Sequence, residues 1–499
     1  MDIRAFIAWL NRSRGWTLEA GYYSYITDWR SWWEGHYPSF HNVRETGLDG
    51  KVHVRPMYRL RMAKRICEDW AALLLNDRTT LSVADEASRH WLLGENEQQT
   101  GGLLGSLDFW RNANRLCELA FRSGAGAFLL SVTGASMDEG RFLPAPGAEL
   151  HLDYLPAECI LPLTVQHGRV TEAAFASQVI REGKSCIYLQ THRLVPRPEG
   201  GSQYRITNEY FTSQSEEGED AAYQPAPLPS GMSPSFLTGS PLPWFSLFTP
   251  AQVKNLPGGS GLGMAVFAEA LDQIKFCDLA FDNYCRDIYL GGKKVFYSKS
   301  LLKPVIGKDG GVSYLPPDDV RQQLFWQGGD TDPDAKPLWE EYNPDLRTQS
   351  NHQAVQDALD FLSFKCGLGT RRYQFQSGGV VTATQYNGDR QDMVQHANRH
   401  QTQIEGALLQ LCRTLLWAGR TIQGASVDPE TALSVNWDDS YIASAEERRQ
   451  QDKDDALSGF LPRWQYNVRW HGMSEDEAKA AVAAAREESG GAEPLSFGV

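Results

Sequence analysis

Four places in the chain carry residue types and spacings that could do chemistry. His396 and His400 stand four apart in a stretch with helical periodicity, the spacing that puts two imidazoles on one helix face for zinc. Ala397 occupies the position of the glutamate base in the HExxH pattern, and no third ligand is evident. The segment PGGSGLG before Met264 invites a test as a phosphate loop. It lacks the Lys and hydroxyl of a Walker loop, and Met264 replaces the third glycine of a dinucleotide loop, so it reads as a flexible helix entry. Asp438 and Asp439 close SVNWDDS, where paired carboxylates could bind metal but more often cap a turn. The fourth place is an acidic ladder: Glu269, Asp272, Asp278, Asp282 and Asp287, against only Lys275 and Arg286 in the same stretch. No nucleotide site emerges, so any energy-driven work falls to another protein.

The acidic ladder lies on the element that organises the rest. From Gly261 to Leu290, Phe267, Leu271, Ile274, Phe281 and Ile288 recur at helical steps or their multiples. Roughly 27 residues would give a rod about 40 Å long, stopped by Gly291 and Gly292. The segment 291–346 alternates short apolar pieces with GKDGG, PPDD and GGDTDPD turns and reads as a compact β-rich insert. A second helix returns over 347–368, with Val355, Leu359, Leu362 and Cys366 on one face. Such a pair, standing alone, exposes apolar surface that copies of itself packed in a ring could cover. A hairpin-like segment, 369–385, follows, with Tyr373 and Phe375 alternating with polar residues and Ser377-Gly378-Gly379 at the turn. The longest helix is expected over 386–419, with Met393, Ala397, Ile404, Leu408, Leu411, Leu415 and Ala418 on one stripe. Beyond a strand ending at 439, Ser444 with Glu447 and Ser474 with Glu477 form two capping boxes, each starting a helix.

The first 210 residues read as mixed α/β. An aromatic cluster of Trp29, Trp32, Trp33 and Tyr37 precedes a helix with Leu60, Ala63, Cys67, Trp70 and Leu74 on one face. Arg59, Arg61, Lys64 and Arg65 on its other side form either a nucleic-acid patch or a solvated face. A second helix over 107–122 leads to the buried strand GAGAFLLSV, and KSCIYLQTHRLVP and SQYRITNEYFT read as antiparallel strands. The Pro- and Ser-rich stretch 212–260 is expected as a surface connection outside the core. The formal net charge of −14 disfavours tight non-specific DNA binding, which needs basic surface. Eight scattered cysteines without a CxxC pair fit reduced thiols better than a disulfide scaffold. No signal peptide or membrane-spanning run is recognised.

Taken in order, several pieces resemble the portal proteins of tailed bacteriophages, in the long-tailed siphophage branch. They are RICEDWAALLLND, GLGMAVFAEALDQIKFCDLAFDNY, GGKKVFY, NPDLR, the stretch from CGLG to TAT, and VNWDDS followed by HGMSEDEA. Gln385 departs from the family, which commonly shows Glu after Thr-Ala-Thr.

The resemblance implies a non-enzymatic α+β subunit of a ring, typically a dodecamer, at one vertex of a viral shell. Residues 1–260 would form the wing, 261–290 and 347–368 the antiparallel stem, and 291–346 the clip. Residues 369–385 would form the tunnel loop, 386–439 the long wing helix and strand, and 440–499 the helical crown. Stem packing would fall to Phe267, Leu271, Ile274, Phe281, Leu359 and Leu362. Glu269, Asp272, Asp278 and Asp282 would line an acidic channel, with pairing between subunits as the other use for some of them. An acidic wall repels the DNA backbone over a Debye length of roughly 8 Å and lets the duplex slide. The tunnel loop would face DNA through Arg371, Arg372, Gln374, Gln376, Ser377, Gly378 and Gly379, with salt bridges between subunits as the other use of the two arginines. Asp318, Asp319, Asp330 and Asp332 would present the clip to the large terminase subunit and later to head-completion adaptors. Major capsid and scaffolding proteins would be further partners, in a virion component made in the host cytoplasm. A non-channel adaptor, or a metal-dependent nuclease built on Asp438 and Asp439, are the competing classes.

Overall fold

The computed structural model describes residues 3–47, 50–76, 78–96, 99–138, 141–181, 183–213, 222–292, 294–297, 303–306, 311–315, 325–327, 339–375, 383–437 and 445–488. Their architecture is mixed α+β. They divide into two compact units, one drawn from Met1–Asp77 and Leu81–Val435, the other from Arg78–Thr80 and Asn436–Val499.

The larger unit begins with α1 (Ile3–Arg14), which buries Phe6, Ile7 and Leu10 at helical spacing, and α2 (Tyr22–Trp33). The short α3 (Pro38–His41) leads into the antiparallel hairpin β1 (Asn42–Thr46) and β2 (Val52–Pro56). Helix α4 (Met62–Leu74) buries Ala63, Cys67, Trp70 and Leu74, the face expected from their spacing; Leu60 lies ahead of the helix. Strand β3 (Thr80–Val83) precedes α5 (Glu86–Leu93), whose N-cap Asp85 accepts from the Ser88 amide at 2.8 Å. Helices α6 (Gly102–Ser106) and α7 (Phe109–Ser123) then deliver the chain to the buried strand β4 (Gly126–Thr133).

After the small hairpin β5 (Ser136–Asp138) and β6 (Arg141–Leu143), β7 (Glu149–Pro156) pairs with β4. Strands β8 (Ile160–Gln166), β9 (Arg169–Arg181), β10 (Lys184–Pro196), β11 (Ser202–Ser213), β12 (Tyr223–Ala226) and β13 (Ser235–Leu237) build an antiparallel sheet in the order β12-β11-β10-β9-β8, with β13 also on β11. The Pro- and Ser-rich stretch is not outside the core, as expected. Its strand β14 (Phe245–Phe248) pairs with β4, and Trp244, Phe245 and Phe248 are buried. Composition averaged over fifty residues hid a short aromatic run, and burying those rings outweighs the prolines around them.

The organising helix is shorter than its periodicity suggested. Helix α8 (Leu271–Leu290) has 20 residues, about 30 Å of rise, after a 3-10 turn at Ala268–Ala270. The preceding residues are buried but irregular, and Phe267 belongs to that entry. Two glycines explain the path: Gly124 (φ +90°) ends α7 and lies so close to Gly263 that a side-chain carbon on Gly263 would sit 2.7 Å from the Gly124 carbonyl oxygen. The described part of the insert is β-rich. β15 (Lys294–Tyr297) leaves α8, β16 (Lys303–Ile306) and β17 (Val312–Leu315) form a hairpin, and β18 (Phe325–Gln327) runs parallel to β15. β19 (Trp339–Tyr342) returns antiparallel to β15 and enters α9 (Thr348–Lys365).

Residues 369–375 contain no strand, contrary to the hairpin expected there. Their Tyr373 is drawn to Asp69 by a 2.8 Å hydrogen bond, which replaces ladder pairing. Helix α10 (Ala383–Ala418) then buries all seven residues of its expected stripe and crosses β14, where Ser246 Oγ donates to the Ala407 carbonyl at 2.7 Å. The chain then runs through a π-helical turn at Gly419–Gln423 to β20 (Leu433–Asn436), which pairs with β3. The smaller unit holds α11 (Ala445–Ser458), α12 (Arg463–His471) and α13 (Glu475–Glu488). The capping box at α13 is present: Glu477 accepts from the Ser474 amide and hydroxyl at 3.0 and 2.8 Å, and the Glu477 amide donates to Ser474 Oγ at 3.3 Å. Helix α12 was not anticipated, because RWQYNVRWH has no apolar stripe to announce it. Ser444, Asp438 and Asp439 lie outside the described residues. Among the described residues, no helix is long and apolar enough to cross a membrane.

Candidate functional site

The α8–α9 pair is antiparallel. Asn283 Nδ2 donates to Asn351 Oδ1 at 3.0 Å, Asn351 Nδ2 to Asp287 Oδ2 at 3.0 Å, and Arg347 pairs with Asp287 at 2.8 Å, so the end of α8 meets the start of α9. The apolar seam between them buries Ile274, Cys277, Leu359 and Leu362, while Leu271 and Phe281 are half-buried. Burial pushes the Cys277 thiol up to about 12, which leaves it protonated and unreactive at neutral pH.

The acidic ladder does not face solvent as a row. Asp278 is buried: it accepts from His41 Nε2 at 3.0 Å and from the Leu60 amide at 2.8 Å. His41 Nδ1 accepts from the Tyr37 amide at 2.8 Å, which leaves Nε2 as the donor to Asp278. Asp282 is also buried and takes both arms of Arg55 at 2.8 Å, plus the Tyr58 amide at 2.9 Å. Two of the four expected channel-wall carboxylates are therefore anchors that fasten α8 to the segment 41–60, because a carboxylate withdrawn from water needs donors and this segment supplies them. Arg55 and Arg286 both pair with Glu45, extending the network onto β1. Glu269 and Asp272 remain exposed; Asn255 donates to Glu269 at 2.7 Å, and Lys275 pairs with Asp272 at 3.0 Å. On α9, Asp357 is exposed and Asp360 half-buried, and the sequence reading had missed both.

These anchors make the pair acid-sensitive. Burial opposes ionisation of Asp282, but Arg55, the Tyr58 amide and Arg286 win and hold its carboxyl below the usual range. Arg347 first, with Asn351, does the same for Asp287, and Arg55 and Arg286 for Glu45. A depressed carboxyl stabilises above its unfolded pKa, about 3.9 for Asp, and that stability disappears as pH falls through the folded value. Acid titration followed by tryptophan fluorescence should show stability falling below about pH 4, with a shallower fall in Asp282→Asn. Parallel titrations of the two proteins would contradict the anchoring role.

What α8 and α9 leave open is part apolar, part polar. Asp272, Phe276, Leu279, Asn283 and Leu290 follow one outward stripe of α8, and Gln353, Asp357, Phe361 and Phe364 one of α9. Phe276 is 41% exposed, Leu279 49%, and Phe361 and Phe364 61% each, all in the half of the pair away from the insert. The sequence signal for this face was the presence of apolar residues off the chosen stripe, since a helix apolar on two sides needs two partners.

The segment expected as a DNA-facing loop is fastened at its base. Asp69, buried on α4, accepts from Tyr373 and pairs with Arg65 at 3.0 Å and Arg372 at 3.5 Å. Arg372 thus has its ionic partner within its own chain, while Arg371 and Gln374 are exposed. Gln376, Ser377, Gly378 and Gly379 lie outside the described residues, as do Asp318, Asp319, Asp330 and Asp332 of the insert. Of the basic residues near α4, Lys64 pairs with Glu68 and Glu118 at 2.7 and 3.2 Å, and Arg59 donates to the Gly35 carbonyl, so these charges are engaged internally.

The histidine pair is not disposed as a zinc site, and Asp438 and Asp439 lie outside the described residues. His400 lies between the Trp70 and Phe121 rings, with Nδ1 accepting from the Ala251 amide at 3.0 Å; burial drives its pKa down to about 3. His396 Nδ1 donates to the Asp392 carbonyl at 2.9 Å. Among the described residues, no group of three or more His, Cys, Asp or Glu is placed to hold a metal. The glycine-rich entry is packed rather than flexible: Gly258, Gly259 and Gly261 all have positive φ, the Gly259 amide donates to Glu19, and the Tyr22 ring covers Gly259. Its amide is already taken by the Glu19 carboxylate, whose charge would repel a phosphate from that place. No family model matches the chain, and no curated protein matches it.

Proposed function

We propose that the chain is the subunit of a ring that passes duplex DNA through one vertex of a viral shell, as the likeness to siphophage portals implies. The observation that carries this reading is the outward face of the α8–α9 pair. Four large apolar side chains stand exposed on helices that are firmly anchored on their other side, and copies set side by side would cover them. The β-rich insert at the far end of the pair is then the docking tip for the packaging motor and later for adaptor proteins. The C-terminal helices meet the interior of the shell, its scaffold and its capsid subunits.

The acidic wall then has fewer members. Asp278 and Asp282 are buried, and Asp272 and Asp357 share the stripes of Phe276 and Phe361 that copies would cover, which leaves the exposed Glu269 for the wall. Repeated around a ring, it repels phosphate and lets DNA slide without sequence preference. Glu269→Lys should assemble and retain linear duplex at low salt, the retention falling steeply as salt rises, whereas the natural chain retains almost none. Equal retention by the two assemblies would mean that Glu269 does not face the passage.

A further inference from the structure

Helix α1 gives way to a turn at Gly15 (φ +66°), and Asn11 holds that turn in place. Its Nδ2 donates to the Leu18 carbonyl at 2.8 Å, and its Oδ1 accepts from the Leu18 amide at 3.0 Å. The turn and β8, the edge strand of the large sheet, enclose two adjoining recesses that share Thr17, Leu18, Pro162 and Leu163. One, of about 150 Å³, is completed by Trp16 and Arg193. The other, of about 220 Å³, includes Val165 and Leu262. Pro162 offers no amide, and the β8–β9 register slips between Pro162 and Thr164, so this edge is a poor template for a further strand. The recesses suit side chains instead.

The first recess carries positive charge that the chain does not pair. Arg193 stands directly opposite Arg205 in the β10–β11 ladder, and both are exposed. Like charges so placed repel. The nearby carboxylates are engaged elsewhere: Glu209 takes both arms of Arg14 at 2.6 and 2.7 Å, Glu172 accepts from the Thr164 hydroxyl and the Leu194 amide, and Glu19 accepts from the Gly259 amide. Among the described residues, neither Arg193 nor Arg205 meets a carboxylate, and the exposed Thr17 hydroxyl has no hydrogen-bond partner. Arg193 lies over the Trp16 ring, 5.6 Å from its centroid, a contact that restrains the guanidinium before any ligand arrives.

An unpaired guanidinium with an open hydroxyl beside it, next to a recess with apolar walls, is complementary to a carboxylate followed by an apolar side chain. We propose that this site binds a segment of a protein partner that presents Asp or Glu followed by an apolar residue. The carboxylate meets Arg193 and Thr17, the apolar side chain enters the second recess, and Arg205 adds to the attraction. The site belongs to a single copy of the chain and goes beyond the ring reading.

The test introduces 5-fluorotryptophan at position 16 alone in the full chain and follows its ¹⁹F resonance. The probes are N-acetyl-Asp-Leu-amide, the neutral N-acetyl-Asn-Leu-amide, the shortened N-acetyl-Asp-Gly-amide, inorganic phosphate and a short DNA duplex. The expected result is a saturable shift with the Asp-Leu probe, and binding weaker by about tenfold when either the charge or the apolar side chain is omitted. Arg193→Gln should weaken the Asp-Leu probe by about tenfold as well, with unchanged far-UV circular dichroism. No shift up to tens of millimolar, equal binding of the three dipeptides, or an unchanged response in Arg193→Gln overturns the site. Tighter saturation by phosphate or by the duplex than by the Asp-Leu probe overturns the choice of an acidic protein segment.

Discussion

The double variant Phe276→Asp, Phe361→Asp should fold as the natural chain does and stay monomeric. Phe361 is 61% and Phe276 41% exposed, so in the isolated chain both substitutions fall at surface positions and should change stability little. In an assembly each substitution removes about 1–2 kcal/mol of aromatic burial, the part of each ring still exposed in the single chain, and adds the cost of a carboxylate facing apolar surface. With about 1.4 kcal/mol per factor of ten, two such sites weaken each contact by more than about a thousandfold, and a ring contains many contacts. Sedimentation velocity reads the mass, and circular dichroism establishes that the monomer is folded. The paired control is Ile274→Asp. Ile274 is buried in the chain's own seam, so that variant should lose folded structure rather than assembly alone. A folded Ile274→Asp monomer, or rings formed by the phenylalanine variant, would reverse the assignment of inner and outer faces.

Asp278→Ala should strongly destabilise the subunit itself. It removes the acceptor of two buried donors, His41 Nε2 and the Leu60 amide, and leaves both without a partner in the chain. An orphaned buried donor costs about 1–3 kcal/mol, so the pair implies a loss of about 2–6 kcal/mol. Urea unfolding followed through the aromatic residues of α2 would register it, because Trp32 packs on the His41 ring at 5.2 Å. Asp272→Ala, whose carboxylate is exposed, is the reference and should change stability by less than about 1 kcal/mol. Equal effects of the two substitutions would show that burial of Asp278 does not hold α8 in place.

Both predictions turn on which side of a helix faces inward, and this was the part least legible in the sequence. Periodicity located α9 and α10 well, and every residue expected on the stripe of α10 is buried, with Ala407, Cys412 and Leu416 buried besides. Helix α8 has two apolar sides, and its carboxylates divide between buried anchors and exposed positions. Nothing in a single sequence marks Asp278 and Asp282 as buried, since their partners His41, Arg55, Tyr58 and Leu60 lie more than two hundred residues away. The same distance effect hid β14, which becomes a core strand only because β4 and α10 are there to receive it. Local turn chemistry was easier to see. The Ser474–Glu477 box and the glycine after α9 needed only their neighbours.

The proposed function depends on many copies standing around one axis, and the mass and shape of the purified full chain test this most directly. Negative-stain imaging with native mass measurement should show annular particles at an integral multiple, about twelvefold, of the 55.8 kDa chain, with a central opening wide enough for a duplex, about 20 Å. A chain that remains a 55.8 kDa monomer up to high concentration, with no annular particles under packaging or low-salt conditions, would contradict the account and leave a non-channel adaptor in its place.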